Sequence, residues 1–361
     1  VSSTYVVGKP KIVNKELFLK RASEILDSGS WGNNSTYVLA LEDYIKEYLG
    51  CKHVIAVNSA TTGLELAIQT LKEFELFENP TCLIPSFTFT ATASALVRNG
   101  IKIEFGDIDN NFCLNKSNTD NITADFFLPV NLFGETCHPD IQDDSRSLLF
   151  DQAHSIGVFN ERTGKYLGAD TELNCFSLHS TKMVSAGECG FITTSRDDYA
   201  EYLKELRNFG YDSNSGAREG DVIHIGTNGK ISEITAALAL TQLENIQEIQ
   251  EHYFNVHQEY ERLLPNLIKQ KNNMFSNWSY VVVQVDARKR DSIISRMNQD
   301  GIFPRTYFKP LHHMSVYKEN INLPMTNKIS SEIMCLPTGL TISLEDVQYI
   351  SRSLANAIKE G

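Results

Sequence analysis

Lys182 ends the segment Ser177-Leu-His-Ser-Thr-Lys182, between an apolar run and the small, flexible stretch Ser185-Ala-Gly-Glu-Cys-Gly190. A lysine in a loop rich in Ser, Thr and Gly is ordinarily a solvated surface residue, but its amine becomes a nucleophile toward carbonyl carbon once desolvated. Three more groups follow apolar runs in the same way. Asp151-Gln-Ala-His154 sets a carboxylate beside an imidazole, Asn58-Ser-Ala-Thr-Thr-Gly63 leads into a helix pattern, and Pro85-Ser-Phe-Thr-Phe89 carries two aromatic rings. The start of a helix, with free amides and a favourable dipole, suits a phosphate. Singly, each group is an ordinary turn, cap or core feature. Jointly they supply every part that pyridoxal 5'-phosphate (PLP) requires. Lys182 offers the amine that holds it as a Schiff base, and Asp151 the acid partner that keeps the pyridine nitrogen protonated. Ser59, Ala60 and Thr61 with Ser177 form the phosphate cradle, and Phe89 the aromatic face over the ring.

These groups need a scaffold that gathers strand ends. Short apolar runs alternate with helical patterns: Val54–Val57, Cys82–Ile84, Ile101–Phe105, Phe126–Leu128, Leu148–Phe150, Cys175-Phe176 and Phe191-Ile192. That alternation predicts an α/β fold with a largely parallel, helix-covered sheet, in which ligands bind at the carboxyl ends of the strands. Leu64, Ile68 and Leu71 share one helical face behind Ser59, a candidate N-cap. A helix rich in small residues is predicted over Ser232–Leu243, followed by the charged stretch Glu244–Arg262. The spacing then changes to a β-like segment over Tyr280–Val285, a helix over Ser292–Gln299, a Pro-punctuated loop and a last helix from about Leu344. The reading is a large domain over 1–250 and a smaller α/β domain over 251–361, as 361 residues would suggest.

With 33 Lys and Arg against 45 Asp and Glu, the net charge of -12 and the lack of any long basic run make nucleic acid and anionic membrane poor partners. The start of the sequence is mixed and polar, unlike a signal peptide, and no apolar run is long enough for a membrane span. Seven cysteines are scattered singly without a CxxC pair, a pattern that fits a reducing cytoplasm and calls for no metal.

The same residues resemble the DegT/DnrJ/EryC1/StrS family of sugar-nucleotide aminotransferases, PLP enzymes of fold type I, nearly end to end. Phe176-Ser-Leu-His-Ser-Thr-Lys182 with Gly187-Glu-Cys-Gly190 is similar to the family's F-S-F-H-x-T-K…G-E-G-G segment, and Asp151-Gln-Ala-His154-Ser-Ile-Gly157 to D-x-A-H/Q-x-x-G. The resemblance implies that Lys182 carries the cofactor, that Asp151 pairs with the pyridine nitrogen, that His154 lies near the ring hydroxyl, and that Phe89 stacks on the ring while Ser177 touches the phosphate. Gly226-Thr-Asn-Gly-Lys-Ile-Ser-Glu233 resembles G-x-N-x-x-M-S-E, which implies a homodimer in which Asn228 reaches the partner's phosphate site. Arg305-Thr-Tyr-Phe-Lys-Pro-Leu-His312 resembles the small-domain loop that approaches the sugar nucleotide. Candidate substrate contacts are Trp31, Asn33, His179, Arg305, Tyr307 and His312. Two positions depart from the pattern: Ala60 replaces the glycine of an S-G-T turn, and Cys189 replaces a glycine of GEGG. An alanine does not take positive φ cheaply, and Cys189 reads as packing.

The reaction implied is a two-stage transfer of an amino group from L-glutamate to a nucleotide-linked keto sugar, with Lys182 moving the proton. The segments at Ser28–Asn34 and Arg305 are most similar to enzymes acting at C4 of a dTDP-4-keto-6-deoxyhexose, as in deoxyamino-sugar and O-antigen biosynthesis. C3 amination and UDP-linked acetamido sugars are the alternatives. Dehydrating relatives carry histidine in place of the lysine. A nicotinamide oxidoreductase would need a GxGxxG turn, which is absent, and a degenerate regulatory fold would lose Lys182 or Asp151, which are both present.

Overall fold

Apolar runs too short for helices and flanked by turn residues become strands buried on both faces, as the central strands of a helix-covered sheet must be. The computed structural model describes residues 4–32, 35–115, 120, 122–138, 141, 144, 146–212, 220–270 and 275–360. In chain order its first elements are β1 (Tyr5–Val6), α1 (Lys15–Ser28), α2 (Thr36–Leu49), β2 (His53–Val57), α3 (Ala60–Glu75), β3 (Thr81–Pro85), α4 (Thr90–Arg98) and β4 (Lys102–Gly106). There follow β5 (Phe126–Phe127), β6 (Ser147–Asp151), the small hairpin β7 (Phe159–Asn160) and β8 (Lys165–Tyr166), then β9 (Leu173–Ser177) and β10 (Gly190–Thr194). Seven of these strands form one sheet in the order β2-β10-β9-β6-β5-β3-β4. Only β10 runs against its neighbours. The seven apolar runs of the sequence are these seven strands.

Ser59 caps α3, its Oγ accepting the Thr62 amide at 3.1 Å, and Leu64, Ile68 and Leu71 are buried against the sheet. The small-residue helix spans Glu233–Leu243 and packs on α1 and α2. Glu233, 1% exposed, places its carboxylate at the start of α2, where it accepts the amides of Ser35, Tyr37 and Val38. A buried charge is tolerable there because three donors and the positive end of the helix compensate it.

The C-terminal part has its own two-stranded sheet, β11 (Val281–Gln284) with β13 (Ile333–Leu336), and a core shared by helices Ile246–Leu263, Arg290–Gln299 and Leu344–Glu360. The chain's first strand, β1, joins this part, pairing in parallel with β12 (Ile302–Phe303), a pairing with no signal in the sequence pattern. Polar ties fix the C-terminal part to the strand ends of the large sheet. Asp107, just after β4, accepts the amides of Met325 and Thr326 at the start of helix Pro324–Glu332. Ser86, just after β3, bonds to His312, and Asn277 donates to the carbonyls of His154 and Ile156. Among the described residues no helix is long and apolar enough to cross a membrane.

Candidate active site

A cleft of about 430 Å³ opens at the carboxyl ends of β2, β3, β6 and β9. Each strand end delivers one group to it. After β2 come Ser59, Ala60 and Thr61, after β3 Thr88 and Phe89, at the end of β6 Asp151 with His154, and after β9 Ser177 and Lys182. Tyr280, Tyr307 and Phe308 of the C-terminal part close the other side.

The amides of the first helical turn have no partner within the helix. Ser59 takes that of Thr62, so those of Ala60 and Thr61 are left for an anion in the cleft. Ala60 is the first residue of α3 and is not among the residues with positive φ, so the turn bears an alanine without strain. Close approach is provided instead by Gly190 at the start of β10. A Cβ built there would lie 2.6 Å from the Ala60 nitrogen and 2.7 Å from the Phe176 carbonyl oxygen. Gly190→Ala is therefore expected to displace the anion turn and weaken PLP binding at least about tenfold, since lost charge-assisted hydrogen bonds cost roughly 1.5–3 kcal/mol. Equilibrium dialysis against PLP measures it, and wild-type affinity would exclude the cradle.

Asp151 is 6% exposed, and each carboxylate oxygen has a donor. Oδ1 accepts the Ala153 amide at 3.0 Å and Oδ2 the Thr92 hydroxyl at 2.9 Å. Burial raises its pKa, against the pull of those donors and of Lys182. The same burial lowers Lys182 to about 8, with Asp151 opposing. Lys182 is half-buried as a residue and lines the cleft, where its amine is desolvated. Its loop is held by Lys182 N–H to the His179 carbonyl at 2.8 Å and Leu178 N–H to the Cys189 carbonyl at 2.8 Å.

His154 is held neutral by burial and by the Lys182 charge, its pKa well below the usual imidazole range. Its Nδ1 accepts the Phe133 amide at 3.3 Å, which leaves the ring proton on Nε2, 3.2 Å from the Tyr280 hydroxyl. Tyr280 also stacks on the imidazole with ring centroids 4.5 Å apart. Cys189 is buried and its thiol is pushed up to about 12, so it is inert at neutral pH.

The other sequence candidates divide. His179 and Tyr307 line the cleft, and His179 bonds to Thr181 Oγ1 at 2.9 Å through Nδ1. His312 does not line it; it is 1% exposed and its Nδ1 lies 2.6 Å from Ser86 Oγ, beneath the loop that carries Tyr307. Asn228 is exposed outside the cleft of its own chain, where its carbonyl accepts from Asn58. Trp31 and Arg305 are exposed away from the cleft, and Asn33 lies outside the described residues. Sequence reasoning missed Thr92 and Tyr280. The spacing of Thr88 and Thr92, four apart across a helix start just after a strand, was the available sign of the former. Tyr280 gave none, as it opens an apolar strand like any core aromatic.

Comparison with known proteins places the whole chain rather than its single residues. Residues 13–355 match the profile of the DegT/DnrJ/EryC1/StrS aminotransferase family. A dTDP-4-amino-4,6-dideoxy-D-glucose transaminase from Shigella dysenteriae is 28% identical, over 95% of this chain and 96% of the relative. The solved structure of DesI with its TDP-sugar product superposes with a TM-score of 0.89 at 27% identity, covering 100% of this chain and 94% of that one. PseC of Helicobacter pylori, an aminotransferase involved in pseudoaminic acid biosynthesis, has a TM-score of 0.90 at 21% identity, over 99% and 100% of the two chains, a likeness of fold.

Proposed function

The chain belongs to the DegT/DnrJ/EryC1/StrS aminotransferase family, whose cofactor is PLP, and we propose that it moves an amino group from L-glutamate to C4 of a dTDP-linked 4-keto-6-deoxyhexose. The observation that carries this reading is the meeting of Lys182, Asp151 and the α3 amides in one cleft. When bound, PLP supplies a carbonyl that accepts an amino group and a ring that withdraws electrons.

The chain's own residues do the rest. The Ala60 and Thr61 amides with Ser177 would hold the phosphate, Asp151 would keep a proton on the pyridine nitrogen, and Phe89 would cover the ring. His154, neutral with its proton on Nε2, would be the donor available to the ring hydroxyl. Lys182 would bind the cofactor and then, as a free amine that burial lowers to about 8, would move the donor's α-proton onto the cofactor's carbon in the first stage and from there onto the sugar's carbon in the second. The sugar is named from the relatives acting on dTDP and TDP sugars. The apolar side chains of Leu132 and Phe308 suit a methyl at C6, where a hydroxyl would need a partner.

A homodimer belongs to the same reading. Phe209, Val222, Ile223 and Ile225 are 46%, 48%, 48% and 85% exposed near Asn228, an apolar face that a second copy would cover while Asn228 reaches the partner's cleft. Seven free, buried cysteines fit a reducing cytoplasm. The test supplies L-glutamate and a panel of nucleotide-linked keto sugars, with 3-keto and UDP-linked acetamido members included, and identifies the product by mass and NMR. The expected product is the 4-amino-4,6-dideoxyhexose on dTDP; amination only of another member reassigns the substrate.

A further inference from the structure

Thr92 is fully buried in the first turn of α4. Its hydroxyl donates to Asp151 Oδ2 at 2.9 Å and lies 3.0 Å from Thr88 Oγ1. A hydroxyl carries one proton, so if Thr92 gives its own to the carboxylate, Thr88 must be the donor in the second contact. The chain of bonds is therefore directed, from Thr88 at the cleft wall through Thr92 to Asp151.

Thr92 has no helix-capping duty that would explain its hydroxyl. Phe89 is the N-cap residue of α4, without a side-chain bond, and the Thr92 amide is taken by the Phe89 carbonyl at 3.2 Å. A valine fills the same volume, so packing alone does not ask for oxygen at this buried site. What the hydroxyl serves is the carboxylate. With Ala153 N–H on Oδ1 and Thr92 O–H on Oδ2, both oxygens are pinned, and the tilt of the group is set by two rigid elements.

We propose that Thr92 is the positioning residue of the cofactor's acid partner, keeping Asp151 ionised and aimed into the cleft, with Thr88 as the second link. The inference rests on the reading of Asp151 given above. Loss of the Thr92 donor raises the proton affinity of Asp151, and the shared proton moves from the pyridine nitrogen toward the carboxylate.

The experiment loads wild type, Thr92→Val, Thr92→Ser, Thr88→Val and Asp151→Asn with PLP carrying ¹⁵N in the ring and reads the ¹⁵N chemical shift, which reports ring protonation. Asp151→Asn is expected to move the shift to that of an unprotonated ring. Thr92→Val should move it part of the way and weaken PLP retention about tenfold, the scale of a hydrogen bond to a charged group. Thr92→Ser should restore both, and Thr88→Val should give a smaller change in the same direction. If Asp151→Asn moves the shift while Thr92→Val does not, or if serine fails to restore it, the Thr92 proposal falls and the Asp151 reading stands. If Asp151→Asn leaves the shift unchanged, both fall. Should Thr92→Val fail to fold, Thr88→Val and Thr92→Ser decide, an unmoved shift in Thr88→Val counting against the proposal.

Discussion

Lys182→Ala is expected to yield a protein that folds, retains PLP weakly through the phosphate turn, lacks the yellow absorbance of covalently held cofactor, and turns over about 10³- to 10⁴-fold more slowly. The magnitude is that of a lost proton-transfer group together with lost attachment. The fold survives because the loop is held by backbone bonds of Leu178, Ser180 and Lys182 that do not involve the side chain. The wild-type amine adds a pH signature. A lysine acts as nucleophile or base only when neutral, and burial brings Lys182 to about 8 from the usual lysine range. The rate of PLP attachment to the cofactor-free protein should therefore climb with pH through about 8 and level off above it. A rate still climbing above pH 10, near the ordinary lysine pKa, would show an undisturbed amine. Stopped-flow absorbance measures the rate, and retention in Lys182→Ala of the band of covalently held cofactor, as distinct from that of free PLP, would remove Lys182 from its role.

How much of this was legible in the residues follows from which forces act locally. The seven sheet strands could be read because each is an apolar run bounded by turn residues, and a buried strand needs no partner to declare its pattern. The end of each run then pointed to Ser59, Phe89, Asp151 and Lys182, since the geometry of an open α/β sheet brings strand ends together. Long-range pairing left no such trace. The reversed direction of β10 against β2 and the pairing of β1 with β12 depend on partners far away in the chain. His312 shows the limit most clearly. Its place in a loop resembling a substrate loop suggested a contact, whereas the fold turns the ring inward to Ser86 and uses it to anchor the loop. Thr92 is the converse, a residue of no evident chemistry that acquires a role because a carboxylate from a strand nearly sixty residues on lies against it.

Asp151 carries the second large effect, and the structure sets its cost against its use. The carboxylate is buried with one donor on each oxygen, and burial still raises its pKa, so the ionised form is dearly held. For a group whose folded pKa is raised, stability is greatest when the group is protonated and declines as pH rises through that pKa. The ionised carboxylate thus weakens the cofactor-free fold. Asp151→Asn keeps the shape and an acceptor for Ala153 or Thr92 while removing the charge, so the Tm of the cofactor-free protein should stay level or rise. Activity should move the other way. Removing one member of a buried charge pair costs about 3–5 kcal/mol, which at the pyridine nitrogen corresponds to a loss of roughly 10²- to 5 × 10³-fold in the single-turnover rate with L-glutamate. PLP binding should weaken by about tenfold or more yet persist, because the Ala60 and Thr61 amides and Lys182 are untouched. Calorimetry on the cofactor-free variant and rapid-mixing spectra on the loaded one separate the two effects. Near-wild-type turnover in the variant would sink the assignment of Asp151, whereas a lost rate with an unchanged or higher Tm is what a group kept for chemistry at the expense of folding must give.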